Sequence, residues 1–178
     1  ANRHGFKSIG LIRGEELLSK YFDNPTLKYS SDLGMKFDFL SRKEYKNRND
    51  ENYLNEMQHI YKDYYFIPEG GTNNLGVLGC QEILRPEDKV FDYICCSVGT
   101  GGTISGLINS SINNQKIIGF SSINKKYLLN DISKFVIKKN WKLNDEFCFG
   151  GYGKVNEELI DFMNDFKLKY DILLDPIY

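Results

Sequence analysis

Short apolar runs alternate with stretches of helical periodicity along most of the chain, which predicts strands and helices in alternation. Lys7 to Ile12 and Lys36 to Leu40 read as strands. Between them Asn24 can cap a helix with Pro25 at its first position. Leu27, Tyr29 and Leu33 then supply its apolar surface, and Gly34 stops it. Arg42 to Ile60 is polar and helical, interrupted around Asn47 to Asp50, and Tyr64 to Ile67 reads as a third strand. A second block repeats the pattern. It runs helix 74–84, strand 92–98, helix 103–110, strand 116–120 and helix 125–138. Asn156 caps a last helix whose Leu159, Phe162, Met163 and Phe166 share one face, with Glu157 and Glu158 where acids suit the dipole. Such alternation implies α/β layers around mostly parallel sheets.

The run Tyr93-Ile94-Cys95-Cys96-Ser97-Val98 is apolar enough to predict a strand buried on both faces. It feeds Gly99-Thr100-Gly101-Gly102-Thr103, which opens a helix at Ile104. Glycines let the backbone approach a ligand, a helix start offers unpaired N–H groups and positive dipole, and two threonines add hydroxyls. That is the chemistry of a phosphate cradle, although a tight strand-to-helix turn without a ligand has the same local pattern. A Walker loop needs Lys and Ser/Thr after its last glycine, and they are missing here. A dinucleotide fingerprint needs glycine at the sixth position, where this chain has Ile104. The next strand ends in Ser121-Ser122 rather than in an acid that could hold a ribose.

Composition narrows the class. With 178 residues, 41% hydrophobic and 26% charged, the chain is globular, holding one ordinary domain or parts of two. A net charge of -1 argues against a nucleic-acid partner, and no apolar run approaches membrane-spanning length. Lys125-Lys126 and Lys138-Lys139 read as the solvated edge of an amphipathic helix. Cys80, Cys95, Cys96 and Cys148 lack metal-ligand spacing, so reduced thiols and a cytoplasmic setting follow. Only His4 and His59 are present, which disfavours a histidine triad or zinc site, and His59 is expected to be exposed. The chain opens at Ala1 without methionine and stops at Tyr178 after an apolar segment, so it reads as an internal piece of a longer protein.

Four motifs then occur in order: Pro68-Glu69-Gly70-Gly71-Thr72-Asn73, Val98 to Thr103, Gly150-Gly151-Tyr152-Gly153 and Asp175-Pro176-Ile177-Tyr178. Together with Ile12-Arg13-Gly14-Glu15 and Asn24-Pro25-Thr26-Leu27, they resemble the 1-aminocyclopropane-1-carboxylate deaminase/D-cysteine desulfhydrase family of pyridoxal-phosphate enzymes. The resemblance spans essentially the whole chain. It implies the tryptophan-synthase-β-like fold type II, with two three-layer α/β domains and mostly parallel sheets, incomplete here at both ends. Residues 1–66 would form part of the smaller domain and 67–178 part of the larger, phosphate-binding one.

By the same resemblance Gly99, Thr100, Gly101, Gly102 and Thr103 hold the phosphate of pyridoxal 5'-phosphate. Tyr152 and Tyr178 match the two active-site tyrosines, where a phenol can relay a proton or hydrogen-bond the substrate. Without the flanking motifs both would read as ordinary amphipathic tyrosines. Gly70 to Asn73 either line the cleft or form a plain turn capped by Thr72 or Asn73. The family's Schiff-base lysine and the Ser-Asn-His segment after it lie before the point where this chain begins, so no lysine here is assigned. The position that separates the two activities lies just past Tyr178.

The resemblance therefore implies a deaminating enzyme for a small amino acid, working as a homodimer. D-cysteine is favoured over 1-aminocyclopropane-1-carboxylate as substrate, and this piece alone is expected to be inactive. A catalytically dead binding module is the alternative from a different class, and a nucleotide-binding oxidoreductase the weakest.

Overall fold

The computed structural model describes every residue except Asn49, Asn113 and Tyr178. The chain divides into two compact units, Ala1–Phe66 and Ile67–Tyr178. In the first, β1 (Ile9–Arg13) and β2 (Lys36–Leu40) pair in parallel, from Ile9 opposite Lys36 to Arg13 opposite Leu40. Their crossover carries α1 (Pro25–Asp32), and its start follows the sequence signal. Asn24 Oδ1 accepts from the N–H groups of Thr26 and Leu27 at 3.0 and 3.1 Å, with Pro25 next. Ser41 and Glu44 form a reciprocal capping box on α2 (Arg42–Lys46), and Asp50 caps α3 (Glu51–Ile60). The expected interruption between these helices is where Asn47 and Asp50 stand. Packing here is aromatic and half-buried: Tyr21 lies edge-on to Phe37 at 5.5 Å.

In the second unit β3 (Tyr93–Val98), β4 (Lys116–Ser121) and β5 (Trp141–Asn144) form one parallel sheet in the order β3-β4-β5. The helices are α4 (Asn74–Cys80), α5 (Gly102–Ser110), α6 (Lys126–Ser133) and α7 (Glu157–Tyr170). Among the described residues the fully buried hydrophobic side chains all belong to this unit. Ile104, Leu107 and Ile108 of α5 meet Val98, Ile117 and Leu143 of the sheet and Leu128 and Ile132 of α6. A Cβ on Gly119 of β4 would stand 2.6 Å from Val98 Cγ2 and 2.7 Å from Leu143 Cδ2. The central strand is thus packed without space for another carbon, and α5 is held firmly against the sheet, with its start at the carboxyl end of β3.

The alternation of elements and the parallel pairing agree with the pattern of the sequence, but five particulars differ. The helix predicted over 74–84 ends at Cys80, after which bonds to the third residue back, such as Gln81 N–H to Leu78 O at 3.1 Å, replace the α-helical ladder with turns. Tyr64 to Ile67 is not a strand but irregular chain, because an apolar run makes a strand only where a partner accepts its ladder. The segment 93–98 is not buried on both faces. It occupies an edge of its sheet, with Tyr93, Cys95 and Ser97 exposed and Ile94, Cys96 and Val98 turned inward. The helix predicted over 125–138 ends at Ser133, and β5 follows where the sequence pattern predicts no strand. Lys138 is no solvated helix edge. Its Nζ donates to the carbonyls of Asn109 (2.9 Å) and Ser111 (2.5 Å), satisfying acceptors at the carboxyl end of α5.

Candidate functional site

Gly99 to Gly101 form the turn between β3 and α5, and Gly102 and Thr103 open the helix, at the carboxyl end of the parallel sheet, where open α/β sheets bind ligands. Gly101 caps the helix in the left-handed conformation at φ +91°, and a Cβ there would stand 2.6 Å from Ile132 Cγ1. Only glycine meets both conditions. Ser105 N–H and Oγ–H both donate to the Gly101 carbonyl, at 3.1 and 2.7 Å, tightening the first turn. The N–H groups of Gly102, Thr103 and Ile104 precede the first intrahelical acceptor and sit at the positive end of the dipole. Thr100 and Thr103, the two hydroxyl residues of the motif, are both exposed beside those donors.

A second glycine turn meets the first. Gly70 and Gly71 have φ of +72° and +68°, and the turn they make delivers Thr72 to Thr100, Oγ1 to Oγ1 at 2.6 Å. The approach is close on both sides. A Cβ on Gly102 would stand 2.7 Å from Thr72 Oγ1, and one on Gly70 would overlap the Thr100 side chain. Asn73 instead serves the helix that follows, where its Oδ1 accepts from Gly76 N–H at 2.8 Å and caps α4. Of the two readings of Gly70 to Asn73, the plain cap describes Asn73, whereas Gly70 and Thr72 border the candidate phosphate turn.

Register adds a residue that sequence reading passed over. Val98 pairs with Ser121, so Ser122 lies beside the start of the glycine turn, its N–H donating to Val98 O at 3.3 Å. Ser122 Oγ is buried and has no hydrogen-bond partner among the described residues. A buried hydroxyl costs stability unless something pairs with it. The only hint in the sequence is a serine at the end of the next strand, and its neighbour is set by the sheet. Ser122 also lines a cleft of about 220 Å³, together with Cys148, Phe149, Leu159, Met163 and Asp175.

Tyr152 stands in the glycine loop bordering that cleft, between Gly151 (φ +126°) and Gly153 (φ +69°), and is 58% exposed. It is not among the cleft-lining residues, whereas Gly151 and Gly153 are. Tyr178 lies outside the described residues. The structure thus brings Gly99 to Thr103 together with Gly70 and Thr72, and gives Tyr152 a separate place in its own loop. His59 is exposed, as expected, its Nδ1 2.7 Å from the Asn55 carbonyl. Burial pushes the Cys96 thiol up to about 11, so at neutral pH it stays protonated and unreactive.

The donor set fits a phosphate monoester: backbone N–H groups, hydroxyls and a helix dipole around bare glycine backbone. No group of His, Cys, Asp and Glu among the described residues could hold a metal ion. No helix among them is long and apolar enough to cross a membrane. All four cysteines are free.

No protein-family model matches the chain. It is 26% identical to a Thermotoga maritima protein named "Putative 1-aminocyclopropane-1-carboxylate deaminase", over the whole chain and 63% of that protein. A Pyrococcus furiosus protein of the same name is 27% identical over the whole chain and 60% of its own length. The Arabidopsis thaliana "Bifunctional D-cysteine desulfhydrase/1-aminocyclopropane-1-carboxylate deaminase, mitochondrial" is 26% identical over 82% of this chain and 42% of its own length. The chain spans about three fifths of the length of the first two relatives. Its motifs, its parallel α/β architecture and these similarities agree: the chain is similar to proteins named as 1-aminocyclopropane-1-carboxylate deaminases and D-cysteine desulfhydrase, and its fold class is the α/β one of pyridoxal-phosphate fold type II.

Proposed function

We propose that this chain carries the phosphate grip of a pyridoxal-5'-phosphate enzyme that deaminates a small amino acid. The observation that carries the reading is the Gly99–Thr103 turn, a glycine cradle at the carboxyl end of a parallel sheet with hydroxyls and helix N–H groups converging on it. The cofactor, when bound, supplies an electron sink for the carbon next to the amino group. The chain's own residues do the holding: backbone N–H groups from Gly102 onward bind the phosphate, and Thr100 and Thr103 donate hydroxyl protons to it. Tyr152 and Tyr178 are assigned to the substrate side, where a phenol can hold or move a proton. The Schiff-base lysine is assigned to a segment outside these residues.

D-cysteine and water would give pyruvate, ammonia and hydrogen sulfide. 1-Aminocyclopropane-1-carboxylate and water would give 2-oxobutanoate and ammonia. The first is favoured. Residues 1–66 serve as part of a smaller domain and 67–178 as part of the larger one. The working unit is a homodimer in the cytoplasm, a setting that suits four unpaired thiols.

Comparing two ligands by calorimetry tests the phosphate reading. Pyridoxal 5'-phosphate is expected to bind at least tenfold more tightly than pyridoxal, with inorganic phosphate competing. Equal affinity for the two would remove the assignment of the glycine turn. Sulfide release from D-cysteine by the full-length protein tests the substrate.

A further inference from the structure

We propose that Thr72 is a positioning residue of the phosphate site: its hydroxyl donates to Thr100 Oγ1 and thereby commits the Thr100 proton to the bound phosphate. The inference rests on the reading of Gly99 to Thr103 as the phosphate grip. The two hydroxyl oxygens stand 2.6 Å apart, and either can be the donor. A hydroxyl has one proton to give and two lone pairs to receive with. With a dianion on the turn, the better bond for Thr100 is the charge-assisted one, roughly twice as strong as a neutral bond. Thr100 Oγ1 is then an acceptor only, and Thr72 is the donor beside it. The chain of donors runs Thr72 to Thr100 to phosphate, each bond polarising the next.

The backbone is built around this pair. Gly102 leaves Thr72 Oγ1 the space that a Cβ would take, and Gly70 does the same for the Thr100 side chain. Behind the turn, Gly71 O fills the place of a Cβ on Gly76, so the second turn is braced against α4. Thr72 is half-buried and held, whereas Thr100 is exposed and needs an orienting partner.

Binding of pyridoxal 5'-phosphate and of inorganic phosphate by calorimetry tests this on the unsubstituted protein, Thr72→Val, Thr72→Ser, Thr100→Val and the Thr72→Val/Thr100→Val pair. Thr72→Val keeps the shape and loses the proton, and is expected to weaken both ligands about tenfold. Thr72→Ser restores affinity to within about twofold. In the Thr100→Val background, Thr72→Val is expected to cost nothing more, because the relay is already cut. Thermal midpoints are followed alongside to separate loss of fold from loss of the proton. Thr72→Val binding like the unsubstituted protein, or costing the same with and without Thr100, overturns the positioning role and leaves the phosphate reading standing. An unsubstituted protein that binds neither ligand overturns both.

Discussion

Asp145 ties β5 to α6, and its chemistry is set by one lysine. Its Oδ2 accepts from Lys125 N–H at 3.2 Å, and Oδ1 lies 3.0 Å from Lys125 Nζ. Those hydrogen bonds and the ammonium charge hold its carboxyl below the usual aspartate range. A carboxylate whose folded pKa is lowered contributes its full stability above the unfolded value, near 3.9. That contribution fades as the pH falls through the lowered folded value. Asp145→Asn should therefore flatten the acid limb of thermal midpoints measured from pH 7 down to about 3. An unchanged acid limb would mean that the pair does not constrain α6. Tyr61 shows the opposite case, its phenol pushed up to about 12 by burial and its bond to the Asp38 carboxylate. At residue scale the glycine turn was legible because its chemistry is local, five consecutive residues after an apolar run. The Thr72–Thr100 pair was not, since those positions are brought together only by folding. Ser122 needed the register of β3 on β4 before its orphaned hydroxyl meant anything.

Elements were legible in proportion to how much of their signal is carried by neighbours in sequence. The caps of α1 and α7 could be read directly, since Asn24-Pro25 and Asn156-Glu157-Glu158 satisfy helix starts with their own side chains. The four residues of β5, Trp141-Lys142-Leu143-Asn144, have a single buried side chain, Leu143. Pairing with Ile117 to Phe120 makes that segment a strand, and pairing leaves no short-range signature. For the same reason Tyr64 to Ile67 is aromatic and apolar and yet forms no strand. The stretch after α6 exchanged helix for a brace. Lys138 caps the carboxyl end of α5, Asn109 Nδ2 donates to Phe135 O at 3.0 Å, and Asn140 Nδ2 donates to Gln115 O at 2.8 Å. Because α5 is also the helix whose start forms the candidate phosphate site, its far end is anchored by these bonds. Lys138→Met keeps the side-chain length and removes the donors, and should cost about 1–3 kcal/mol in urea unfolding. A loss well under that range would show that water serves those carbonyls equally well.

At the scale of the whole molecule, the unsolved balance is apolar surface. The helix α7 has Leu159, Phe162, Met163 and Phe166 on one side, and Phe162 remains 56% exposed. Leu168 on the same helix is 86% exposed, and Val90, Phe91 and Tyr93 are exposed along and before the edge strand β3. Single exposed hydrophobic residues are ordinary, but a strand edge and a helix carrying several of them mark surfaces that associate. A homodimer would cover part of this surface, and a longer chain, such as the relatives have, would cover more. The polypeptide of residues 1–178 on its own is therefore expected to elute above monomer mass in size-exclusion chromatography. The shift should grow with concentration, and Leu168→Glu with Phe162→Ser should reduce it. A monomer at every concentration would show that the exposed positions are too scattered to hold two copies together. Association that persists in the double variant would move the contact from α7 to the open edge of β3. A charge introduced at Tyr93, which faces outward there, would then be the substitution that dissolves it.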